Sequence, residues 1–402
     1  MSEPLVIIGN GMAAAKLVEE LCASALGRYS ILVIGAEPKL AYNRVLLSSL
    51  LAGEVEAADI ALKSREWWSS MGVTLAYGKA ATRIDREAKT VTLEGGTVVP
   101  YGKLVLATGS QPIRLSKPGM DLSGVLTFRD QDDVNAMLTA AGPATRAVVI
   151  GGGLLGIEAA HGLAKSGARV TLIHLMERLM ERQLDAEAAG LLKLALEERG
   201  IEVCLSSDTA EVDGEECVEA VRLADGRVLP ADIVVSAVGI RPAADLARDA
   251  GLAVTRGIMV DDRLTTSDPS IFALGECAEH RGVCYGLVEP AYEQARSLAA
   301  HLAGRPGAYR GTVLSTNLKV SGVPVFSAGD FLGGPGTEIV IARDPGLGTY
   351  RKLVIKHDVL VGCVLFGETS DGLWYLDLIR KGRPLGALRD SLVFGRVMAE
   401  AA

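Results

Sequence analysis

Short runs of apolar residues recur along the first 310 residues, and two of them begin the same pattern of strand, turn and helix. Each run is followed by a glycine-rich turn, a segment with helical spacing and a second apolar run. The two repeats comprise residues 5–8, 12–22 and 30–34, and residues 147–150, 155–165 and 169–173. Continuous apolar runs of this length are typical of parallel strands that are buried on both faces of a sheet. The pattern therefore predicts two strand–helix–strand units in one chain.

Further apolar runs indicate that the duplication extends beyond these units. Residues 104–109 and 233–239 each form a strand-like run that ends in a small-residue turn, and each is followed closely by a proline. The alternating patterns within residues 72–93 and 203–229 predict β-meanders with glycine-containing turns. Both halves of the first 310 residues therefore share one plan.

The pattern changes from Thr312 onward, where the glycine-rich helical segments stop. Antiparallel strands are predicted at residues 323–326, 338–342, 350–355 and 359–365, and a helix near Thr369 and Asp371. The predicted fold class is α/β, with two Rossmann-like dinucleotide-binding domains and a small C-terminal α+β domain.

The first glycine turn, Gly9-Asn10-Gly11-Met12-Ala13-Ala14, has the spacing GxGxxA directly between a strand and a helix. In this fingerprint Gly9 makes the turn, Gly11 lets a pyrophosphate approach the backbone, and a small third residue lets helix and strand pack. The helix N-terminus adds unpaired N–H groups and positive potential. We predict a bound dinucleotide here, against the alternative of a plain tight turn.

The acid that this fingerprint expects at the end of the second strand is displaced by one position. Ala36 stands where the carboxylate is expected, so Glu37 is the candidate to accept ribose hydroxyls, with a solvated loop charge as the alternative. Arg44, in the following loop, is a candidate to pair with the pyrophosphate, and a plain surface arginine is the alternative. Arg129 is a second candidate for the same charge.

The second glycine turn, Gly151 to Gly156, contains all three glycines of GxGxxG and is followed by Glu158. It again lies between a strand and a helix, so we predict a second dinucleotide at Gly153 and its neighbours. Glu158 is expected near the nicotinamide carboxamide. The alternative is an acid in the first helical turn that stabilises the helix dipole.

His174 occupies the end of the second strand of this unit, where an enzyme that uses NADH usually has an acid. A neutral imidazole can accept a hydrogen bond from a ribose hydroxyl, and a protonated one can bind a 2′-phosphate with Arg178 or Arg182. A solvated imidazole without a ligand is the third interpretation. NADH is favoured because no arginine directly follows the strand, and NADPH stays possible.

A third glycine–acid turn, Gly275-Glu276, follows the apolar run 270–274. Glu276 is placed to hold a ribityl hydroxyl of a flavin. Pro290 opens a predicted helix that runs to His301, and the N–H groups at its start would face the flavin edge where negative charge grows on reduction.

Composition and charge exclude several other classes of protein. A net charge of −8 argues against nucleic-acid binding, which needs a basic surface. The apolar runs are too short and too interrupted for a membrane span, and the N-terminus lacks the features of a secretion signal. The six cysteines are scattered, so neither metal-ligand spacing nor a redox pair is predicted, and a cytoplasmic location is expected.

These residues resemble the pyridine nucleotide–FAD oxidoreductases of the glutathione reductase fold. Within them the chain looks most like the flavoprotein part of the assimilatory NAD(P)H nitrite reductase large subunit and the nitrate reductase electron-transfer subunits. It is similar, more distantly, to rubredoxin and putidaredoxin reductases. The motifs that match lie at residues 9–12, 42–49, 106–110, 151–156, 179–185, 275–278 and 367–371.

The resemblance implies two cofactors, FAD and NADH, and a set of contacts for each. The FAD contacts that it implies are Gly9, Gly11, Met12, Arg44, Ala81 through its backbone, Thr108, Gly109, Arg129 and Glu276. The dinucleotide contacts that it implies are Gly153, Leu155, Glu158, His174 and Gly239. We expect an FAD-binding domain at residues 1–111 and 240–310, an NAD(P)H-binding domain at 112–239 and the C-terminal domain at 311–402.

The expected reaction is hydride transfer from the nicotinamide to the flavin, with no protein residue as nucleophile or general base. Peroxide- or disulfide-reducing relatives keep a redox cysteine in the loop that here reads Leu47-Ser48-Ser49. No cysteine set here suits an iron–sulfur cluster, so electrons are expected to go to a separate iron–sulfur or rubredoxin-like protein. A diaphorase-like reductase of quinones or oxygen and a redox-sensing flavoprotein are the alternatives. The acceptor's identity and the oligomeric state stay open.

Overall fold

The computed structural model of the 402-residue chain describes residues 2–318 and 322–401, which form two compact units. The first unit comprises Met1–Leu46, Glu56–Pro112 and Ile240–Thr312, and the second comprises Leu47–Val55, Ile113–Gly239 and Val313–Ala402. Each unit therefore contains more than one stretch of the chain.

The first unit is built around a five-stranded parallel sheet. In sheet order its strands are β19 (Ile271–Ala273), β7 (Lys103–Leu106), β1 (Glu3–Ile8), β2 (Tyr29–Gly35) and β3 (Thr74–Tyr77). Side chains of β1 alternate between two cores, because successive residues of a strand point to opposite faces. Leu5 and Ile7 pack with helices α1 (Met12–Ala25) and α8 (Val288–Leu302), whereas Val6 and Ile8 belong to a core on the other face.

Smaller elements complete this unit. The second core includes a meander of β4 (Ala81–Asp85), β5 (Thr90–Leu93) and β6 (Val98–Pro100). The other elements are α3 (Arg65–Ser70), α7 (Asp245–Asp249), the pair β8 (Ser110–Pro112) and β17 (Ile240–Pro242), and the sheet of β18 (Ile258–Val260), β20 (Ala278–His280) and β21 (Val283–Cys284).

The second unit repeats the plan. Its parallel strands are, in sheet order, β12 (Glu202–Cys204), β11 (Arg169–Ile173), β10 (Arg146–Ile150), β16 (Ile233–Ser236) and β9 (Val125–Thr127). Its helices are α2 (Leu47–Leu51), α4 (Gln131–Ala140), α5 (Leu154–Lys165) and α6 (Ala186–Glu197), and its meander is β13 (Thr209–Asp213), β14 (Ala220–Leu223) and β15 (Val228–Pro230).

The C-terminal part of this unit is an antiparallel sheet with its own hydrophobic core. In sheet order its strands are β22 (Ser315–Leu318), β23 (Val325–Gly329), β26 (Val359–Phe366), β25 (Thr349–Lys356) and β24 (Glu338–Asp344), followed along the chain by α9 (Gly372–Lys381) and α10 (Arg396–Ala401). The carboxylate of Asp185, which caps α6, accepts a hydrogen bond from the Tyr350 hydroxyl at 2.7 Å and pairs with Lys352 at 3.2 Å. These contacts join the sheet to α6.

The predicted fold class is confirmed, and the meanders were predicted with too many strands. Residues 74–77 and 202–204 pair in parallel with the main sheets, so each meander begins later, at Ala81 and at Thr209. A short, half-exposed parallel strand alternates like a meander strand, which is why the pattern alone did not separate them. Helix α8 begins at Val288, so Pro290 is its third residue and not its first.

Candidate functional site

The carboxyl end of the first sheet holds the first glycine turn in a conformation that requires glycine. Gly9 has a φ of +115°, and a Cβ at this position would lie 2.0 Å from the carbonyl oxygen of Ala107. Gly11 is the N-cap of α1, and a Cβ built on it would meet no described atom within 4 Å. Because Met12 and the next residues are apolar, the amides at the start of α1 face no side-chain acid of their own turn. This arrangement suits a bound pyrophosphate.

Three other turns lie at the same sheet edge, because β7, β1, β2 and β19 are parallel neighbours. After β7, the Thr108 hydroxyl donates to the carbonyl of Ala243 at 2.6 Å, and Gly109 has a φ of +70°. After β19, the partly buried carboxylate of Glu276 accepts from the Ser110 hydroxyl at 2.8 Å. The structure therefore brings Gly9, Gly11, Thr108, Gly109 and Glu276 to one edge.

The third turn follows β2 and contains Glu37, which has two protein partners. The Tyr42 hydroxyl donates to one carboxylate oxygen at 2.7 Å, and the Arg44 guanidinium donates to the other. The same guanidinium lies 5.0 Å from the centre of the Tyr42 ring. Glu37 and Arg44 are therefore neighbours, and Tyr42 is a residue that the fingerprint did not reveal. Each carboxylate oxygen has a second lone pair, so these contacts leave acceptor capacity for ribose hydroxyls.

The remaining predicted flavin residues occupy three separate places. Pro290 is buried in the first turn of α8, and Gln294 on this helix accepts from the Gly275 N–H at 2.7 Å. Ala81 begins β4, in the meander. Arg129 belongs to the second unit, where it follows β9 and its backbone N–H donates to Asp133 at 2.6 Å.

The second glycine turn is more tightly constrained than the first. Gly151 has a φ of +117°, and a Cβ on it would lie 2.4 Å from the carbonyl oxygen of Ala237. A Cβ on Gly156 would lie 1.8 Å from the carbonyl oxygen of Gly151. The backbone of helix α5 therefore packs directly against the backbone of the turn. Gly153, the N-cap of α5, would place a Cβ at least 4 Å from every described atom. Leu155 follows in the first turn of α5.

His174 lies next to this turn, and both of its ring nitrogens have partners. Its Nδ1 accepts the N–H of Gly152 at 3.0 Å, and its Nε2 lies 3.1 Å from the carboxylate of Glu181. Gly239 follows β16 at the same sheet edge with a φ of +121°. The chain thus collects Gly153, His174 and Gly239 around one edge, together with Glu181, which sequence reasoning missed.

Glu158 lies in the second turn of α5, because the helix begins at Leu154. The alternative role as an acid of the first turn is therefore wrong. Its carboxyl is hydrogen-bonded to Ser48, whose side chain is 1% exposed, and burial raises its pKa from an ordinary value of 4.5 to about 8. The hydrogen bond from Ser48 acts in the opposite direction and is the smaller effect. At neutral pH this carboxyl is mostly protonated, so it can donate as well as accept.

Two kinds of feature are missing from the described residues. No cluster of three or more His, Cys, Asp or Glu side chains within residues 2–318 and 322–401 is arranged to hold a metal ion. In the same part of the chain, no helix combines the length and apolar character needed to cross a bilayer.

The two glycine turns lie at the carboxyl edges of two parallel sheets, and the N-caps of their helices, Gly11 and Gly153, make no side-chain hydrogen bond. Residues 3–297 match the family model for pyridine nucleotide-disulphide oxidoreductases. The chain belongs to this family. Residues 315–383 match the C-terminal domain of rubredoxin NAD+ reductases.

Individual relatives agree with this assignment. The NAD(P)H nitrite reductase of Bacillus subtilis is 46% identical over 94% of this chain and 47% of its own length. The assimilatory nitrate reductase electron transfer subunit of the same organism is 40% identical over 97% of this chain and 51% of its own length. This chain thus spans about half the length of both relatives. The crystal structure of a covalent putidaredoxin reductase–putidaredoxin complex aligns with a TM-score of 0.87 at 26% identity, covering 95% of this chain and 94% of that one.

The predicted resemblance and the predicted cofactors are confirmed at the level of the family: the chain is an FAD-dependent NAD(P)H oxidoreductase. The structure leaves room for both groups, because Gly11 and Gly153 are the N-caps of α1 and α5 and a Cβ at either position would meet no described atom within 4 Å. The individual contacts, and the preference for NADH, stay predictions.

Proposed function

We propose that this chain takes electrons from NADH and passes them to a separate iron–sulfur or rubredoxin-like protein in nitrite or nitrate assimilation. The observation that carries the proposal is the buried Ser48 hydroxyl bound to Glu158, in the segment where thiol-dependent relatives have their redox cysteine. A hydroxyl cannot exchange with a disulfide or reduce a peroxide. A thiol-based route is therefore closed at this position.

The relatives support the choice of acceptor. One is named as an electron transfer subunit of nitrate assimilation, and another was solved in complex with its redox partner putidaredoxin. The C-terminal sheet matches a domain of rubredoxin reductases. An electron-transfer role with a protein acceptor is common to these proteins, and we extend it to this chain. The six cysteines are unpaired, which supports a reducing, cytoplasmic compartment.

We assign the two cofactors to the two glycine turns. In this assignment residues 1–111 and 240–310 hold FAD, residues 112–239 hold the nicotinamide dinucleotide, and residues 311–402 form a small α+β domain. A bound FAD would supply the redox chemistry, namely hydride acceptance and one-electron release. The protein binds and orients the groups, and no side chain acts as nucleophile or general base.

The residues of each site follow from this assignment. The proposed FAD residues are Gly9, Gly11, Met12, Glu37, Arg44, Ala81, Thr108, Gly109, Arg129, Glu276 and Pro290. The proposed dinucleotide residues are Gly153, Leu155, Glu158, His174 and Gly239. Glu158 has a supporting part: its protonated carboxyl would offer the nicotinamide carboxamide both a hydrogen-bond donor and an acceptor.

Stopped-flow spectroscopy tests the proposal by separating the two half-reactions. The flavin is first reduced with NADH, and the reduced protein is then mixed with a rubredoxin, a [2Fe–2S] ferredoxin, a quinone or oxygen. We expect fast reoxidation by one of the iron proteins and slow reoxidation by oxygen and quinone. Fast reoxidation by the small oxidants, with no preference among proteins, would refute the proposal and favour a diaphorase.

Gly153→Val tests the second glycine turn separately. A Cβ at this position would meet no described atom within 4 Å, so the fold should tolerate the change. We expect the larger side chain to obstruct the proposed pyrophosphate site. Reduction by NADH should be roughly tenfold slower or worse, since a misplaced substrate loses its alignment. After reduction with dithionite, the variant should deliver electrons to the iron protein as fast as the wild type. If the variant loses both half-reactions, the assignment of the second turn to the nicotinamide dinucleotide is wrong.

A further inference from the structure

The end of strand β11 lacks the acid that usually binds the adenosine ribose of NADH, and His174 stands there instead. The hydrogen bonds of His174 fix its tautomer. A backbone N–H can only donate, so Nδ1, which accepts from Gly152, has no proton. The proton of the neutral ring is therefore on Nε2, which donates to Glu181 at 3.1 Å. The imidazole has no lone pair left for a ribose hydroxyl.

Glu181 is brought to the glycine turn by the fold of the loop after β11. Met180 has a φ of +49°, and its N–H donates to the carbonyl of Gly152 at 2.9 Å. This bond holds the loop against the same residue that binds His174. A Cβ on Gly152 would lie 2.6 Å from Leu179 and 2.7 Å from the His174 ring, so the loop, the imidazole and the turn are packed together.

The carboxylate of Glu181 has acceptor capacity available. One oxygen accepts from His174, and the other has no donor among the residues that the structure describes. The side chain is 27% exposed, so a ligand can reach it from solvent. The ring of His174 therefore acts as a spacer between the strand end and a carboxylate, and restores the acid that the strand itself lacks.

We propose that Glu181, oriented by His174, accepts the adenosine ribose hydroxyls of NADH and so selects NADH over NADPH. The inference deepens the proposed function and rests on it only in requiring that the second glycine turn binds a nicotinamide dinucleotide. A carboxylate beside the 2′ position accepts a hydrogen bond from the ribose hydroxyl but repels a 2′-phosphate. His174 is a positioning residue in this arrangement.

Binding without turnover tests the inference apart from electron transfer. The probes are NAD+, NADP+, ADP-ribose and 2′-phospho-ADP-ribose, titrated calorimetrically into the FAD-loaded protein. Wild-type protein should bind ADP-ribose at least about tenfold more tightly than its 2′-phosphorylated form, as a charge-assisted hydrogen bond allows. In Glu181→Gln this preference should fall about tenfold or more, because ADP-ribose loses affinity and the 2′-phosphate is no longer repelled.

Glu177→Gln is the matched control, since Glu177 is an exposed acid of the same loop, paired with Arg178 at 3.2 Å. It removes the same charge and should leave the preference unchanged. His174→Asn keeps an acceptor for Gly152 but cannot reach Glu181, so it should lower the preference without abolishing binding. The inference is overturned if Glu181→Gln keeps the wild-type preference, if Glu177→Gln lowers it equally, or if wild-type protein prefers the 2′-phosphate.

These outcomes are distinguishable from failure of the proposed function. A chain that binds ADP-ribose through Glu181 but reduces no iron protein would contradict only the proposed acceptor. A chain that reduces an iron protein with NADH and NADPH equally well would contradict only the part given to Glu181.

Discussion

The carboxyl of Glu158 allows a direct test of how burial in the second unit affects the pH dependence of stability. Burial raises the pKa of its carboxyl to about 8, so at neutral pH the folded protein keeps a proton that the unfolded chain has lost. Glu158→Gln replaces this carboxyl with a neutral group of almost the same shape. The variant should therefore remove one pH-dependent contribution to the free energy of unfolding and change little else.

The sign and size follow from linkage. A carboxyl with a raised pKa in the folded state gives a contribution that is fully present below the unfolded value of 4.5 and is lost as pH rises toward 8. Relative to the variant, the wild type should lose at most about 1.4 kcal/mol for each unit of pH in this window. From pH 5 to pH 8 the upper bound is about 4 kcal/mol. Glu158 has intermediate solvent exposure, so water partly stabilises its charged form. We therefore expect the loss of unfolding free energy from pH 5 to pH 8 to be ~2 kcal/mol.

The assay is equilibrium unfolding in urea at pH 5, 6, 7 and 8, with both proteins saturated with FAD. Only the difference between wild type and variant is compared, so other titrating groups cancel. Glu54→Gln serves as the control, because a hydrogen bond from Lys165 lowers the pKa of Glu54. The carboxyl of Glu54 is ionised in both the folded and the unfolded protein across most of this pH range. The difference in unfolding free energy between wild type and Glu54→Gln should therefore be nearly constant with pH.

A wild-type-minus-variant difference that is the same at pH 5 and pH 8 would refute the reasoning. It would mean that Glu158 is ionised in the folded protein and that a cation compensates it. Infrared difference spectra provide a second measurement, since a protonated carboxylic acid has its own carbonyl band. That band should be present at pH 7 in the wild type and missing in Glu158→Gln.

Four further substitutions test the packing within the two units. Gly9→Ala should lower the free energy of unfolding by about 2 kcal/mol or more and release flavin, because its Cβ would lie 2.0 Å from a carbonyl oxygen. Gly11→Ala should keep the wild-type melting temperature and only weaken flavin retention on gel filtration, because its Cβ would meet no described atom within 4 Å. Asp185→Ala should cost ~3 kcal/mol in urea unfolding, because it leaves the Lys352 ammonium, 8% exposed, without its carboxylate, and a cost below 1 kcal/mol would contradict this. Gln294→Leu leaves a buried glycine N–H without its acceptor, so a loss of about 1–3 kcal/mol and of bound FAD is expected.

Local spacing made the glycine turns predictable. Gly9 and Gly151 have positive φ values and Gly11 and Gly153 open the following helices, as the fingerprint requires of these positions. A turn of this kind is determined within a few residues, so one sequence contains the information. The continuous apolar runs that predicted the parallel sheets are also local features of the sequence. They could not distinguish short parallel strands from meander strands.

Contacts across longer separations were not predictable in this way. The bond between Ser48 and Glu158 joins residues 110 positions apart, and nothing in either local pattern indicates it. The role of Glu158 also depended on where its helix starts. The helix starts at Leu154, one residue before the predicted segment, so Glu158 lies outside the first turn. Its carboxyl is therefore influenced mainly by burial, which raises its pKa, and not by the helix dipole.

The two units share one arrangement of side chains after the second strand of the parallel sheet. In each, the position at the end of the second strand lacks an acid, and a glutamate further along the chain is fixed by a neighbouring side chain: Glu37 by Tyr42, and Glu181 by His174. An acid on the strand is oriented by the backbone, whereas an acid on a loop loses rotamer freedom only if a partner holds it. In the nucleotide sites that we propose, the partner side chain is therefore as necessary as the acid, and the strand-end residue alone does not indicate which acid would bind the ribose.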